Sequence, residues 1–299
     1  MILVTGATGF IGQHLVKQLV EAHYPVCCLI RPSHRARSFA PGVKIHVVAG
    51  DVDDLPALRV ALYDVTHVIH LAGIWDETER DTFESANIQG TYNLIDAMQE
   101  VGVRRLITVG TLGADTHSAY PYFRVKAQVD DIVEASGLDY TILESSVVYG
   151  RGDEWTELIA LALRRFPFFF PIPSSGRARL QPLYVNDLIR CLLACIENDK
   201  TARKTYGIGG PQQLAYDDLV NTIMQVTHHT RRKRYLYPAS VLRWSRFMRG
   251  FLGGQLLYTP TQLDLLSVDR TTNQDAVSFH FGFQPLRLTN ALGYLHNVG

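Results

Sequence analysis

Cysteine is scarce, with four in 299 residues, and none of the spacings among them would build a disulfide or zinc framework. Cys27 and Cys28 are neighbours inside an apolar run, and Cys191 and Cys195 lie one helical turn apart, so both pairs read as small buried hydrophobes. Lysine is scarce too, 6 against 23 arginines, a bias toward the planar donor that suits phosphate and carboxylate. The chain lacks a charge excess, since 29 basic and 29 acidic residues cancel. That balance argues against whole-protein attraction to nucleic acid or to an anionic membrane and leaves only local patches. No apolar run approaches the roughly 18 residues of a membrane span. The first strand is expected from Ile2, which leaves no room for a secretory leader, so a cytoplasmic location is expected. Internal repeats, long linkers and low-complexity tracts are also missing. The length suits one two-lobed domain or two intimate ones.

What is present begins at the first residue. "MILVTGATGFIGQHLVKQLVEAHYPVCCLIRPS" reads as strand, glycine-spaced turn, helix with Leu15, Val16, Leu19 and Val20 at helical spacing, and a second strand from Val26 to Ile30. Gly6, Gly9 and Gly12 fall where a backbone must bend sharply, approach a diphosphate and pack a helix on a sheet. The helix start then offers free N–H groups and partial positive charge to phosphate. Thr8, Phe10 and Ile11 of the same turn are candidate cofactor contacts.

The residue closing the second strand selects the dinucleotide, because a carboxylate there binds a ribose 2′-hydroxyl and an arginine suits a 2′-phosphate. Here it is Arg31, followed by Ser33, His34, Arg35 and Arg37, so NADP(H) is favoured over NAD(H). "KIHVVAGDVDD" reads as a third strand ending at Asp51, beside Val52. "HVIHLAG" reads as a fourth, ending in Leu71, Ala72 and Gly73. Both finish at the carboxyl edge where such sheets bind ligands.

A helix is expected over Asp81 to Glu100, then a fifth strand at "RRLITVG", then a loop into a helix holding Tyr122 and Lys126. Four residues apart, these two share one helix face. With 14 tyrosines and 6 lysines, chance alone supplies about 0.3 such pairs, so the spacing needs its context. Val125, Val129, Ile132 and Val133 are the expected core stripe, with the Tyr122/Lys126 edge bordering it. Strands alternating with helices imply an α/β, doubly wound parallel sheet of the Rossmann type.

"TGATGFIG", "GDVDD", "HLAG", "TFESANIQGTYNL", "YFRVK", "SSVVYGRGD", "RARLQPLYVNDL" and "YGIGGPQQLAYDDLV" occur in that order. In this the chain resembles the extended and atypical short-chain dehydrogenase/reductases, the group of NAD-dependent epimerases and dehydratases, nearly end to end. Within it the likeness is nearest to the branch that includes the nucleotide-binding accessory subunit of respiratory complex I. The resemblance implies Tyr122 as the acid/base exchanging a proton with a substrate oxygen while hydride moves to or from the nicotinamide. It implies Lys126 as the ammonium that favours the phenolate and holds the nicotinamide ribose, and Asn87 as the asparagine shaping the helix behind the site. Ser145, Ser146 and Val147 would run along the cofactor ring.

The pattern is broken in two places. Catalytic members carry a Ser or Thr just past the fifth strand, where this chain has Leu112. Thr111, one place early, is the provisional oxyanion partner, and Ser118 a second candidate. After the sixth strand, "YTILESSVVYG", relatives tend to have Arg-Pro and this chain has Glu144 and Ser145. A carboxylate there must be paired, for instance with Arg151, or protonated.

The nucleotide domain is expected at 1–150 with 180–208 returning to it, and a smaller, interleaved substrate lobe at 151–179 and 209–299. "RRFPFFFPIPSSGRARL" cannot be a regular helix or central strand, and reads either as an apolar pocket wall or as an aromatic seam. In "ASVLRWSRFMRGFLG", residues 239–253, Val241, Trp244, Phe247, Met248, Phe251 and Leu252 fall on one helix face and Arg243, Arg246 and Arg249 on the other. Such a basic helix either meets a membrane or partner or simply covers the lobe. The expected function is an NADP(H)-dependent oxidoreductase or epimerase-like enzyme acting on a carbonyl or hydroxyl carbon of an apolar small molecule. The alternative is a non-catalytic NADPH-binding accessory, assembly or redox-sensing protein. No metal and no nucleic-acid partner is expected.

Overall fold

The computed structural model describes residues 1–32, 45–79, 81–166, 168–173 and 178–297. The basic run Ser33, His34, Arg35 and Arg37 lies outside the described residues. The chain divides into two compact units, Met1–Glu144 with Leu188–Tyr206, and Ser145–Asp187 with Gly207–Gly299.

The first unit begins with β1 (Ile2–Thr5), α1 (Phe10–Glu21), β2 (Val26–Ile30), β3 (His46–Ala49), α2 (Leu55–Ala61) and β4 (His67–His70). It continues through α3 (Gly90–Val101), β5 (Arg105–Thr111), α4 (Pro121–Ala135) and β6 (Asp139–Ser145). β1 and β2 are buried along their whole length, as expected of apolar, β-branched strands covered on both faces. With β11 (Lys204–Ile208) they form a seven-stranded sheet in the order β11-β6-β5-β4-β1-β2-β3. β1 pairs in parallel with both β2 and β4, so the winding reverses between β1 and β4. In such sheets ligands bind beyond the carboxyl ends at that reversal.

The returning stretch is held by one buried guanidinium. Arg105 donates to the Cys195 carbonyl and the Thr201 and Thr141 hydroxyls, each at 2.8 Å, and to the Asp139 carbonyl at 2.7 Å.

Two expected elements differ in detail. The helix expected from Asp81 starts later, as a π-turn over Glu84–Gln89 that passes into α3. Thr82 and Ser85 exchange backbone-to-hydroxyl bonds of 3.0 and 3.1 Å, which set the helix start and leave Asp81 free for other partners. In α4 the buried face is Phe123, Ala127, Val129, Asp130 and Val133, while Val125 and Ile132 are half-buried. A carboxylate therefore occupies the middle of an otherwise apolar stripe.

The second unit comprises β7 (Val148–Tyr149), α5 (Thr156–Arg165), β8 (Phe169–Pro173), β9 (Arg179–Leu180) and β10 (Leu183–Tyr184). After α6 (Val185–Glu197), which runs into the first unit, come β12 (Leu214–Ala215), α7 (Tyr216–Thr227), β13 (Arg232–Leu236), α8 (Pro238–Met248) and a run of short helical segments. Its core gathers Tyr149, Ile159, Leu163, Phe170, Tyr216, Ile223, Val241, Met248 and Tyr258. Within this unit β7 pairs with β10 and β9 with β12 in small sheets of their own. The proline-rich stretch does contain a strand, β8. It belongs to a two-stranded sheet with β13, where Pro171 and Pro173 interrupt no central ladder. Of its aromatics, Phe170 is core, Phe166 and Phe169 contact Trp244, and Phe168 is exposed.

α8 differs from its helical projection. Val241, Ser245 and Met248 face the core, followed by Leu252 in the next turn, whereas Phe247 and Phe251 are 73% and 56% exposed. The apolar arc read from the sequence is wider than the core it covers. Among the described residues no helix is long and apolar enough to cross a membrane.

Candidate functional site

The loop from β1 to α1 is built for close approach. Gly6 has φ +68°, a conformation that disfavours any side chain, and a Cβ there would lie 2.5 Å from the Leu71 carbonyl carbon. A Cβ on Gly12 would lie 2.2 Å from the Gly6 carbonyl oxygen. Gly9 is the N-cap of α1, no side chain caps the helix, and no acidic residue stands in its first turn. The first N–H groups of a twelve-residue helix are thereby left to a ligand, and a diphosphate fits this donor set in charge and in lack of bulk. Thr8 and the partly exposed Phe10 and Ile11 line the same turn, with the Thr8 carbonyl accepting from Gln13 at 2.8 Å. The neighbouring strand end is tied in by the Leu71 N–H on the Thr5 carbonyl and the Ala72 N–H on the Thr5 hydroxyl.

Arg31 does follow β2, but it is not free. Its Nε lies 2.6 Å from Asp51 and its Nη1 2.8 Å from Asp81. Burial alone would lower this guanidinium's pKa; the bond to Asp81 and the charges of Asp51, Asp81 and Asp53 outweigh it and hold the pKa raised. Asp51 also accepts from the Val52 N–H at 2.8 Å. The far partner, Asp81, was invisible to the sequence reading because it arrives from the approach to α3, fifty residues away.

Tyr122 is the second residue of α4 and half-buried, its ring meeting Phe83 and Phe123 edge-on at 6.1 and 5.9 Å. Its hydroxyl has no hydrogen-bond partner among the described residues. One turn on, Lys126 Nζ donates to the Val109 carbonyl of β5 at 2.9 Å. The pair therefore faces the carboxyl end of β5, next to the stretch where the family's hydroxyl is expected.

On the α4 side of that strand the one hydroxyl the alternation offers is buried Thr108, which has no hydrogen-bond partner among the described residues. A Cβ on Gly110 would meet Asp130 at 3.0 Å, so the face of β5 toward α4 contains Gly110 and, by strand alternation, Thr108. Thr111, the last residue of β5, is buried on the opposite face by that alternation, and no described bond links it to Tyr122. Leu112 is buried as well, at the start of a turn closed by the Ala114 N–H on the Thr111 carbonyl, with Gly113 at φ +84°. Ser118 accepts from the Tyr120 N–H at 3.2 Å, and its carbonyl holds Arg124 at 2.7 Å.

Two buried titratable groups escaped the sequence reading. Asp130, one turn past Lys126, is 8% exposed, and neither carboxylate oxygen has a hydrogen-bond partner among the described residues. Burial pushes its pKa up to about 7, with Lys126 opposing and Glu144, Glu134 and Asp131 adding to the rise. His70, at the end of β4, sits between the hydroxyls of Thr5 at 2.7 Å and Thr91 at 3.3 Å. Burial, then the charge of Lys126, pulls its pKa down to about 4, so the ring is neutral. The available signal was local: an aspartate on an apolar helical stripe and a histidine closing an apolar strand.

Glu144 pairs with no cation among the described residues, and burial first and Glu134 second raise its pKa, the direction of the protonated alternative and not of the salt bridge. Asn87 clamps the segment after β4, its side chain accepting from the Ile74 N–H at 2.7 Å and donating to the Ile74 carbonyl at 3.0 Å. It also lies against Gly73, where a Cβ would sit 2.7 Å from its Oδ1. Ser145, Ser146 and Val147 open the second unit. Ser146 Oγ is already committed within that unit, donating to the Arg270 carbonyl at 2.7 Å and accepting from the Gln181 N–H at 2.9 Å, and Val147 packs on its core.

The model of the NAD(P)H-binding family matches residues 6–154. The chain is 25% identical to the mitochondrial NADH dehydrogenase [ubiquinone] 1 alpha subcomplex subunit 9 of Arabidopsis thaliana, over 92% of this chain and 72% of that protein. It is 24% identical to the photosystem II assembly factor Ycf39 of Synechocystis, over 98% of this chain and 89% of that one. Among solved structures it resembles the dTDP-glucose 4,6-dehydratase of Bacillus anthracis in complex with NAD, with a TM-score of 0.76 and 18% identity, covering 99% of this chain and 95% of that one.

Proposed function

From the match of residues 6–154 to the NAD(P)H-binding family and the fold shared with a dTDP-glucose 4,6-dehydratase, we propose that this chain is a pyridine-nucleotide oxidoreductase acting on a carbonyl or hydroxyl carbon. The observation that carries the proposal is the Tyr122/Lys126 pair, a phenol with no partner among the described residues one turn before an ammonium anchored to β5. The nucleotide, when bound, supplies or takes the hydride. Gly6, Gly9 and Gly12 with the first N–H groups of α1 would hold its diphosphate. In the reducing direction Tyr122 gives its hydroxyl proton to the substrate oxygen as the carbonyl carbon gains the hydride, and it recovers a proton from solvent. Lys126 orients the ribose and steadies the phenolate left behind.

The cofactor preference we propose is NADP(H), with Arg31 exchanging its bond to Asp81 for a 2′-phosphate. Titration with NADPH and NADH tests it: Asp81→Asn should strengthen NADPH binding and Arg31→Ser abolish the preference, whereas a wild-type preference for NADH would overturn it. Leu112 favours a second reading, a nucleotide-binding accessory or assembly protein without turnover, because a buried leucine offers no hydrogen bond to a substrate oxygen. Turnover over a panel of apolar ketones and alcohols separates the two. A rate that falls by at least a hundredfold in Tyr122→Phe supports the enzyme; nucleotide binding with no turnover in the wild type supports the second reading.

A further inference from the structure

Between Asp218 and Asp264 the chain carries six arginines, one lysine and no carboxylate, although its basic and acidic residues balance at 29 each. This basic stretch contains β13 and α8. Lys233 is neutralised by Asp217 at 2.6 Å, but neither Arg243 nor Arg246 pairs with a carboxylate among the described residues. Just beyond them stand the exposed rings of Phe247, near the end of α8, and Phe251, in the turn that follows it. Phe168 is 74% exposed beside β8, and its ring meets Phe166, which packs on Trp244 of α8 at 5.2 Å. Trp244 lies one turn before Phe247. Arg165 of α5 binds the Phe251 carbonyl at 2.8 Å, which fixes that ring's backbone against the same edge. The exposed rings of Phe168, Phe247 and Phe251 thus fall around Trp244 and the end of α8, with Arg243 and Arg246 on the same helix.

We propose that this face of the second unit docks on an anionic lipid surface, with Phe168, Phe247 and Phe251 inserted at the headgroup boundary and Arg243 and Arg246 against lipid phosphates and carboxylates. The chemistry favours lipid over a macromolecular partner. The rings project from the outward side of a helix instead of lining a groove, so a protein would need a separate pocket for each, whereas a bilayer interface accepts protruding rings at any spacing. A stretch of six arginines and one lysine with no carboxylate complements a surface of one sign. A nucleic-acid strand would need a groove that tracks its backbone, and α8 offers a single convex row.

The test is co-sedimentation of the full chain with vesicles of phosphatidylcholine alone and of phosphatidylcholine with phosphatidylserine. Wild type should partition at least tenfold more to the anionic vesicles. Arg243→Gln with Arg246→Gln should reduce that partitioning by about twentyfold, roughly fivefold per charge removed. Phe247→Ser with Phe251→Ser should reduce it by about tenfold or more. Both variants keep the core-facing Val241 and Met248, and unchanged NAD(P)H binding with unchanged circular dichroism confirms their fold. Failure of the wild type to sediment with anionic vesicles, or equal sedimentation of the phenylalanine variant, overturns the proposal and leaves the patch to an acidic protein or nucleic acid.

Discussion

Asp130 makes the stability of this protein fall as pH rises through the neutral range. Its carboxyl has an ordinary pKa of 3.8 in the unfolded chain and about 7 in the folded one, raised chiefly by burial. Below pH ~4 both states hold the proton and the group contributes no pH dependence. Between pH ~4 and ~7 the folded state keeps a proton that the unfolded state has released, so unfolding releases a proton and becomes easier as pH rises. The slope is about 1.4 kcal/mol per pH unit, and over the roughly three units separating the two pKa values the loss approaches ~4 kcal/mol. Above pH ~7 both states are ionised and the loss is complete. Asp130→Asn removes the titration while keeping the shape that fills the space against Gly110. Urea unfolding of the two proteins from pH 5 to 9 should show the variant gaining about 2–3 kcal/mol on the wild type between pH 5 and 7, then a constant difference. Effects of other groups cancel in the comparison wherever they are independent of Asp130. A difference that stays constant over the whole range would refute the argument, because it would mean that the carboxyl keeps its ordinary affinity for protons inside the fold.

His70 acts with the opposite sign. Its folded pKa of about 4 lies below the ordinary 6.5, so its contribution is full above pH 6.5 and is lost on acidification as the unfolded chain takes up a proton the buried ring refuses. The loss approaches ~3 kcal/mol by pH 4, and unfolding curves of His70→Gln against wild type should converge over that interval. Gly12→Ala drives a methyl into the Gly6 carbonyl oxygen, which should cost about 1–3 kcal/mol of stability and lower NAD(P)H affinity at least tenfold, read by thermal melting and fluorescence titration. All four cysteines are buried, and burial pushes the Cys28 thiol up to about 12. A thiol reagent should leave the native protein unlabelled for hours at neutral pH and label four groups in denaturant.

How much of this was legible beforehand depends on how far apart the interacting residues lie. The strand–turn–helix opening, Gly6, Gly9 and Gly12, the doubly wound alternation and the Tyr122/Lys126 face all follow from rules that operate within a few residues: left-handed φ at a tight turn, two-residue alternation in strands, four-residue repeats in helices. Each could be read directly from the chain. The reading of α8 went wrong for a related reason. A helical projection ranks side chains by polarity, but burial also needs something to pack against, and the second unit's core extends only as far as Val241, Met248 and Leu252. Phe247 and Phe251 stayed outside it.

Sequence alone determined that this chain would wind a parallel sheet around a glycine-lined phosphate loop and set a phenol and an ammonium on one helix face, because those features are properties of local backbone geometry. Tertiary structure decided the electrostatics. Arg31 lies between Asp51 and Asp81, His70 is held neutral between two hydroxyls, and among the described residues Asp130 has no hydrogen-bonding partner and Glu144 no cation. In each case the charge state depends on burial and on partners tens of residues distant, and only the packed sheet and helices bring those together.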